Sequence, residues 1–217
     1  MFIGHFAAGL AAKKVDSRPS LGTMFLAAEF IDLLWPVFVL LGIERFKIEP
    51  GITAFTPLNL TYYPFSHGMV SVLIWSVLFG GVYYLIKKQW KGALVLGGVV
   101  FSHWILDFIS HRPDLPLLFG GSAKVGLGLW YSFWLSLAVE TGLYIAGAVI
   151  YLRVTRPKNK TGTWSLWALL VFLLVVYLMN AFGPPPTATN PVVISSLSMW
   201  LIVAWGYWAD RNRTSTS

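Results

Sequence analysis

Residues 92–111 read GALVLGGVVFSHWILDFISH. The run is close to the ~20 residues a membrane-spanning helix needs, and most of it is apolar. It nevertheless carries His103, Asp107 and His111. An ionisable side chain inside hydrocarbon is costly, so such residues mark function by default. Their spacing of four residues puts all three on one helix face, one turn apart. Imidazole nitrogen and carboxylate oxygen are the ligands zinc takes in the absence of thiolate, and the chain has no cysteine.

Five more stretches have the same apolar character on either side. With 92–110, the spans are expected over Leu21–Gly42, Ser66–Ile86, Gly92–Ser110, Leu127–Leu152, Trp164–Phe182 and Pro191–Ala209. A shorter stretch, Phe2–Ala12, is too short to cross and is expected to be a re-entrant or packed half-helix. The composition agrees: 56% hydrophobic, 16% aromatic and 12% charged, against roughly 25% charged for a soluble domain. The expected fold is therefore all-α, a polytopic membrane helix bundle of about six spans plus a short N-terminal helix. It forms one integral membrane domain over residues 1–217, with the site in 1–130 and additional helices in 131–217. The N-terminus has no basic residue ahead of its apolar stretch and is expected to be retained rather than cleaved as a signal peptide.

The net charge of +7 does not call for nucleic acid, because basic residues collect in the cytoplasmic loops of membrane proteins. Lys13, Lys14, Arg18, Lys87, Lys88, Lys91, Arg153, Arg156, Lys158, Lys160, Arg211 and Arg213 fall on one side. Arg45, Lys47, Arg112 and Lys124 fall on the other. That 12-to-4 bias places the first group, with both termini, on the cytoplasmic side. Trp35, Tyr62, Tyr63, Trp90, Trp130, Trp164, Trp205 and Trp208 stand near span ends, as interfacial belts do. The Gly-rich run Phe119–Leu129 lacks the P-loop pattern and reads as a loop feeding the fourth span. Asn59–Leu60–Thr61 fits a glycosylation triplet.

The remaining ionisable residues of the spans are few. Glu29 and Asp32 lie in the first, His67 opens the second, Glu140 lies in the fourth, and His5 lies in the N-terminal stretch. At ~1.5 Å per residue, Asp32 and His103 are both ~16 Å from the cytoplasmic ends of their helices. They can therefore meet in the outer half of the bilayer. A hydrogen bond to a neighbouring helix is the competing reading for each residue alone. It is weakest for the His103–Asp107–His111 row. Glu29 stands one turn before Asp32, in reach of a supporting role. Glu140 either ligates or bonds across helices, and Arg112 and Asp114 either pair as loop charges or serve the site.

At these residues the chain resembles a known family, the LexA-binding, inner-membrane-associated hydrolases, also described as membrane-bound metal-dependent hydrolases. The resemblance lies in Gly4–His5, Phe30–Ile31–Asp32–Leu33–Leu34–Trp35–Pro36, Ser66–His67, Ser102–His103–Trp104–Ile105–Leu106–Asp107 and His111–Arg112–Pro113–Asp114. It implies a bacterial inner-membrane protein, distantly similar to zinc-dependent phospholipase C and the P1-type nucleases. It further implies one zinc on Asp32, His67, His103 and Asp107, another on His5 with Asp107 shared, and His111 toward a third. The soluble enzymes supply a further His-x3-Glu there, which this chain lacks unless Glu140 or Asp114 compensates. Two ions are expected rather than three, zinc or another divalent metal.

The expected activity is metal-assisted hydrolysis of a phosphoester, in a membrane lipid because the site opens to the outer leaflet. Asp32 and Asp107 are the catalytic candidates, with Asp32 as ligand and general base. Arg112 and Lys124 are candidates for the phosphate. A metal-ion or proton transporter is the alternative, although there is no internal repeat and the last two spans hold no acidic residue or histidine before Asp210. A scaffold without enzymatic activity is a third reading. A di-iron oxygenase ranks low, since only four histidines are present.

Overall fold

The computed structural model describes residues 1–120 and 123–216. Five helices are long and apolar enough to cross a membrane, or six if one bent pair counts as a single span. They are α5 (Met69–Lys87), α6 (Trp90–Ser110), α7 (Phe133–Val154), α8 (Lys160–Phe182) and α9 (Thr189–Arg211), with α2 (Leu21–Ala28) and α3 (Phe30–Leu40) as the bent pair. Their outer faces are apolar and open, with Val77 74% and Leu201 73% exposed, whereas His5, Glu29, His103, Asp107 and Glu140 are buried. Polar groups inside and hydrocarbon outside is the arrangement that lipid as solvent demands. The protein is a multi-pass, all-α membrane bundle, as its composition implies.

Three spans differ from expectation. The first span is not one rod over Leu21–Gly42; α2 and α3 meet at Glu29 with a 52° bend. Pro36 lies inside α3 and cannot donate a backbone hydrogen bond. At the bend itself the Ala28 carbonyl is taken by a histidine side chain, an insertion of the kind that breaks a helical ladder. The second span starts at Met69, because extended Gly68 separates it from a single turn, α4 (Pro64–His67). The fourth starts at Phe133, after a 3-10 turn over Leu129–Tyr131. Within the Gly-rich run before it, Lys124–Val125 (β4) pairs with Leu115–Pro116 (β3), while residues 121 and 122 lie outside the described residues. The first long loop contains a hairpin of β1 (Arg45–Ile48) and β2 (Leu58–Tyr62).

The N-terminal stretch is α1 (Ile3–Ala12), a packed half-helix. Its Ile3, Phe6 and Leu10 join Phe25, Leu33, Tyr144, Leu169 and Val203 in one core. α1 crosses α7 so closely that a Cβ on Gly147 would stand 2.6 Å from the Ala7 carbonyl oxygen. The last two spans brace this assembly. Gly206 of α9 sits against Gly22 of α2. Asp210 takes Lys13 at 2.9 Å and the Tyr151 hydroxyl at 2.6 Å. Beside them β5 (Thr155–Pro157) pairs with β6 (Arg213–Ser215). Met1 lies at the other end of α1, against Asp107.

Candidate metal centre

Four segments far apart in the chain converge on one point. α1 brings His5, α3 brings Asp32, α4 brings His67, and α6 brings His103 and Asp107 with His111 at its end. Asp32 Oδ1 stands 3.2 Å from His67 Nε2 and 3.7 Å from His103 Nε2. Asp107 Oδ2 stands 3.7 Å from the same His67 nitrogen and 3.3 Å from the same His103 nitrogen. Two ligands held ~2.0–2.1 Å from a tetrahedral zinc ion are roughly 3.3 Å apart. These four edges come near that spacing, and two groups, Asp32–His67–His103 and His5–His103–Asp107, each have ligand atoms within 4.8 Å of one another.

Asp107 faces two ways. While Oδ2 faces His67, His103 and, at 3.8 Å, His111, Oδ1 is 3.1 Å from His5 Nε2 and also accepts from the Met1 amino group. The His5 ring stacks on that of His103, with centroids 3.6 Å apart. A carboxylate shared between two nitrogen sets is suited to bridging two ions.

The outer hydrogen bonds decide which nitrogen of each ring points inward. His103 Nδ1 is 2.8 Å from the Ala28 carbonyl. A carbonyl only accepts, so Nδ1 carries a proton, and in the neutral ring Nε2 is the lone pair; that Nε2 is buried with no hydrogen-bond partner. His67 Nδ1 is 2.7 Å from Ser66 Oγ, whose own proton goes to Glu44 Oε2 at 2.6 Å. The hydroxyl therefore accepts from Nδ1–H, and Nε2 again faces the carboxylates. His111 Nδ1 donates to Asp114 Oδ1 at 3.1 Å. In their neutral form the three rings would thus turn lone pairs to carboxylate oxygens, an arrangement that a positive charge among them would satisfy. Such outer partners fix metal-bound histidines. The donor set, its edges and the orphaned Nε2 all fit a bound divalent ion.

The comparisons add no family. No protein-family model, curated protein or solved structure matches the chain.

The supporting residues are placed as follows. Glu140 accepts the Phe2 amide at 2.9 Å, so it bonds across helices and caps α1; the structure shows no ligand geometry for it. Asp114 holds His111 and also takes the Arg112 guanidinium at 2.8 Å and the Tyr63 hydroxyl at 3.1 Å. Burial pushes the Asp114 carboxyl up, but the bonds from His111 and Arg112 outweigh it and hold the group below its ordinary value. Burial, then the Asp114 charge, push the Tyr63 phenol well up, so it remains a donor. Arg112 also donates to Asn59 Oδ1 at 2.6 Å, which ties the glycosylation triplet into the site wall. Tyr63 and Trp35, expected in an interfacial belt, are buried beside the hairpin instead. Lys124 is exposed and lines a small hollow with Tyr63 and Pro64. Glu29 is fully buried, with neither carboxylate oxygen bonded among the described residues.

Glu44 escaped the sequence reading. It sits in a loop at 1% exposure and accepts from the Phe65 and Ser66 amides at 2.8 Å each, as well as from Ser66 Oγ. A carboxylate 22 residues from the group it serves leaves no local signal.

Proposed function

We propose that this chain is a membrane-embedded, metal-dependent hydrolase acting on phosphoester bonds of lipids. The observation that carries the reading is the pair of adjoining groups Asp32–His67–His103 and His5–His103–Asp107, with the inward nitrogens of His67 and His103 held by outer hydrogen bonds. The resemblance of the motifs to inner-membrane metal-dependent hydrolases supports it. It also supports zinc as the ion and a bacterial inner membrane as the location, with the site in the outer half. The cluster lies at the end of α1 and α6 away from the Lys13–Asp210 contact, which suits that orientation.

When bound, divalent ions would polarise the phosphoryl oxygens and lower the pKa of a water. Asp32 is the most open member of the shell, its side chain 25% exposed against 5% or less for His67, His103 and Asp107. Its Oδ1 faces the two histidines, which leaves Oδ2 to orient the attacking water and take its proton. Asp107 holds the two nitrogen sets in register. Arg112 is committed to Asp114 and Asn59, so of the two candidate cations Lys124 is the one left to meet the phosphate. Between the cluster and the basic end the packing is apolar, with Met24, Ala27, Leu96 and Val100. That favours a site open from one side over a transport path.

Elemental analysis of detergent-purified protein tests this, with wild type beside His103→Ala and Asp107→Ala. Stoichiometric zinc in the wild type, lost in both variants together with phosphodiesterase turnover, is expected. Absence of metal under chelator-free conditions, or full turnover in Asp107→Ala, overturns it. Ion flux into protein-containing liposomes would replace it with the transporter.

A further inference from the structure

Next to the shell, between α3 and α5, lies an apolar cleft of about 390 Å³. Its size falls within the ~300–1,000 Å³ of ordinary ligand sites. Phe38, Ile43, Phe65, Ile74, Trp75 and Phe119 line it. We propose that this cleft holds one hydrocarbon chain of the lipid whose phosphate reaches the metal centre, an inference that rests on the hydrolase reading.

Three observations choose the occupant. First, the cleft offers no free polar group. Its two polar side chains are Ser71 and Trp75. Ser71 Oγ donates to the Pro64 carbonyl and Trp75 Nε1 to the Phe65 carbonyl at 2.9 Å. A headgroup, sugar or peptide would find no partner there, and a buried polar group without one is costly. A hydrocarbon chain needs none.

Second, the cleft opens toward lipid. Ile74 is 46% exposed on α5, next to Leu73 at 43% and Val77 at 74% on the same membrane helix. A chain can therefore enter sideways from the bilayer without crossing water.

Third, the cleft wall and the metal shell share their backbone. Phe65 lines the cleft, and His67, two residues on in the same turn, faces Asp32 and Asp107. Trp75 packs on Phe30 with ring centroids 5.9 Å apart, and Phe30 lies two residues before Asp32. A chain seated here lies against the same turn, α4, that carries His67 of the metal centre. At ~30 Å³ per water-sized group, the volume takes on the order of a dozen methylenes, so one chain rather than two. Lipid tails are as apolar as the cleft. Moving from bilayer to cleft therefore gains little hydrophobic free energy, and the cleft positions its lipid more than it captures it.

The test uses full-length protein in nanodiscs doped with a phospholipid that carries a diazirine midway along one acyl chain. After illumination, adducts are mapped by mass spectrometry, and metal content is measured on the same sample. The expected result is adducts enriched several-fold on Phe65, Ile74 and Trp75 over the lipid-facing Trp200 and Leu201 of α9. Ile74→Trp, which fills the cleft from a lipid-exposed position, should abolish the enrichment, and Phe38→Ala, which enlarges it, should keep it. Even labelling of all lipid-facing helices, or enrichment that survives Ile74→Trp, overturns the cleft assignment. Stoichiometric zinc with even labelling overturns the cleft alone. Enrichment without zinc leaves the chain site standing and overturns the hydrolase reading.

Discussion

Replacing Glu44 with glutamine tests whether the outer hydrogen bonds build the site. Glu44 Oε1 accepts from the Phe65 and Ser66 amides, and Oε2 accepts the Ser66 hydroxyl proton. In Glu44→Gln the amide oxygen can keep the two backbone bonds, so α4 retains its cap. The other position becomes an NH2, which donates. Ser66 then has no acceptor there for its proton, and that proton turns to His67 Nδ1, 2.7 Å away. The His67 tautomer inverts, and Nε2–H points at Asp32 and Asp107. Loss of an outer-shell partner lowers metal affinity roughly 10–100-fold, which is about 1.4–2.8 kcal/mol at ~1.4 kcal/mol per decade. The assay is competition against a chromophoric zinc chelator in detergent. Glu49→Gln, at an exposed hairpin carboxylate bonded to Asn59, is the control and should match wild type. Ser66→Ala should weaken binding in the same direction. An affinity for Glu44→Gln equal to that of Glu49→Gln would refute the relay.

Three further outcomes are expected. Gly147→Ala drives a Cβ against the Ala7 backbone, whereas a Cβ on Gly142 of the same helix meets nothing within 4 Å. Overpacking of this kind costs ~1–3 kcal/mol, so Gly147→Ala should melt lower and release metal more readily as His5 shifts, while Gly142→Ala should do neither. Equal melting of the two variants would dismiss the tight α1–α7 crossing. Glu29→Gln should weaken ion retention roughly tenfold, since its buried oxygens have no bonded partner among the described residues; unchanged retention would make Glu29 a neutral filler. Asp114 is held below its ordinary value, so its contribution is present above the unfolded carboxylate pKa of ~3.9 and is lost as pH falls through the lower folded value. The melting difference between wild type and Asp114→Asn should be full near neutrality and vanish in acid, and a pH-independent difference would contradict this.

From the sequence alone come the helical class, the membrane and the candidate ligands, because each rests on local chemistry. Apolar runs of span length have no stable home in water, and four-residue spacing aligns His103, Asp107 and His111 whatever surrounds them. The short stretch around His5 was legible as too short to cross. Tertiary structure alone decided where α1 would pack, why the first span breaks at Glu29, and which nitrogen of each histidine is free. Ala28 and His103 are 75 residues apart and Glu44 and Ser66 are 22 apart. Bonds between such pairs follow no periodicity. The loop hairpin and the brace supplied by α9 were hidden for the same reason. A membrane helix is written in its own residues, but a kink, a tautomer or a second carboxylate behind a ligand is written in its partner's position.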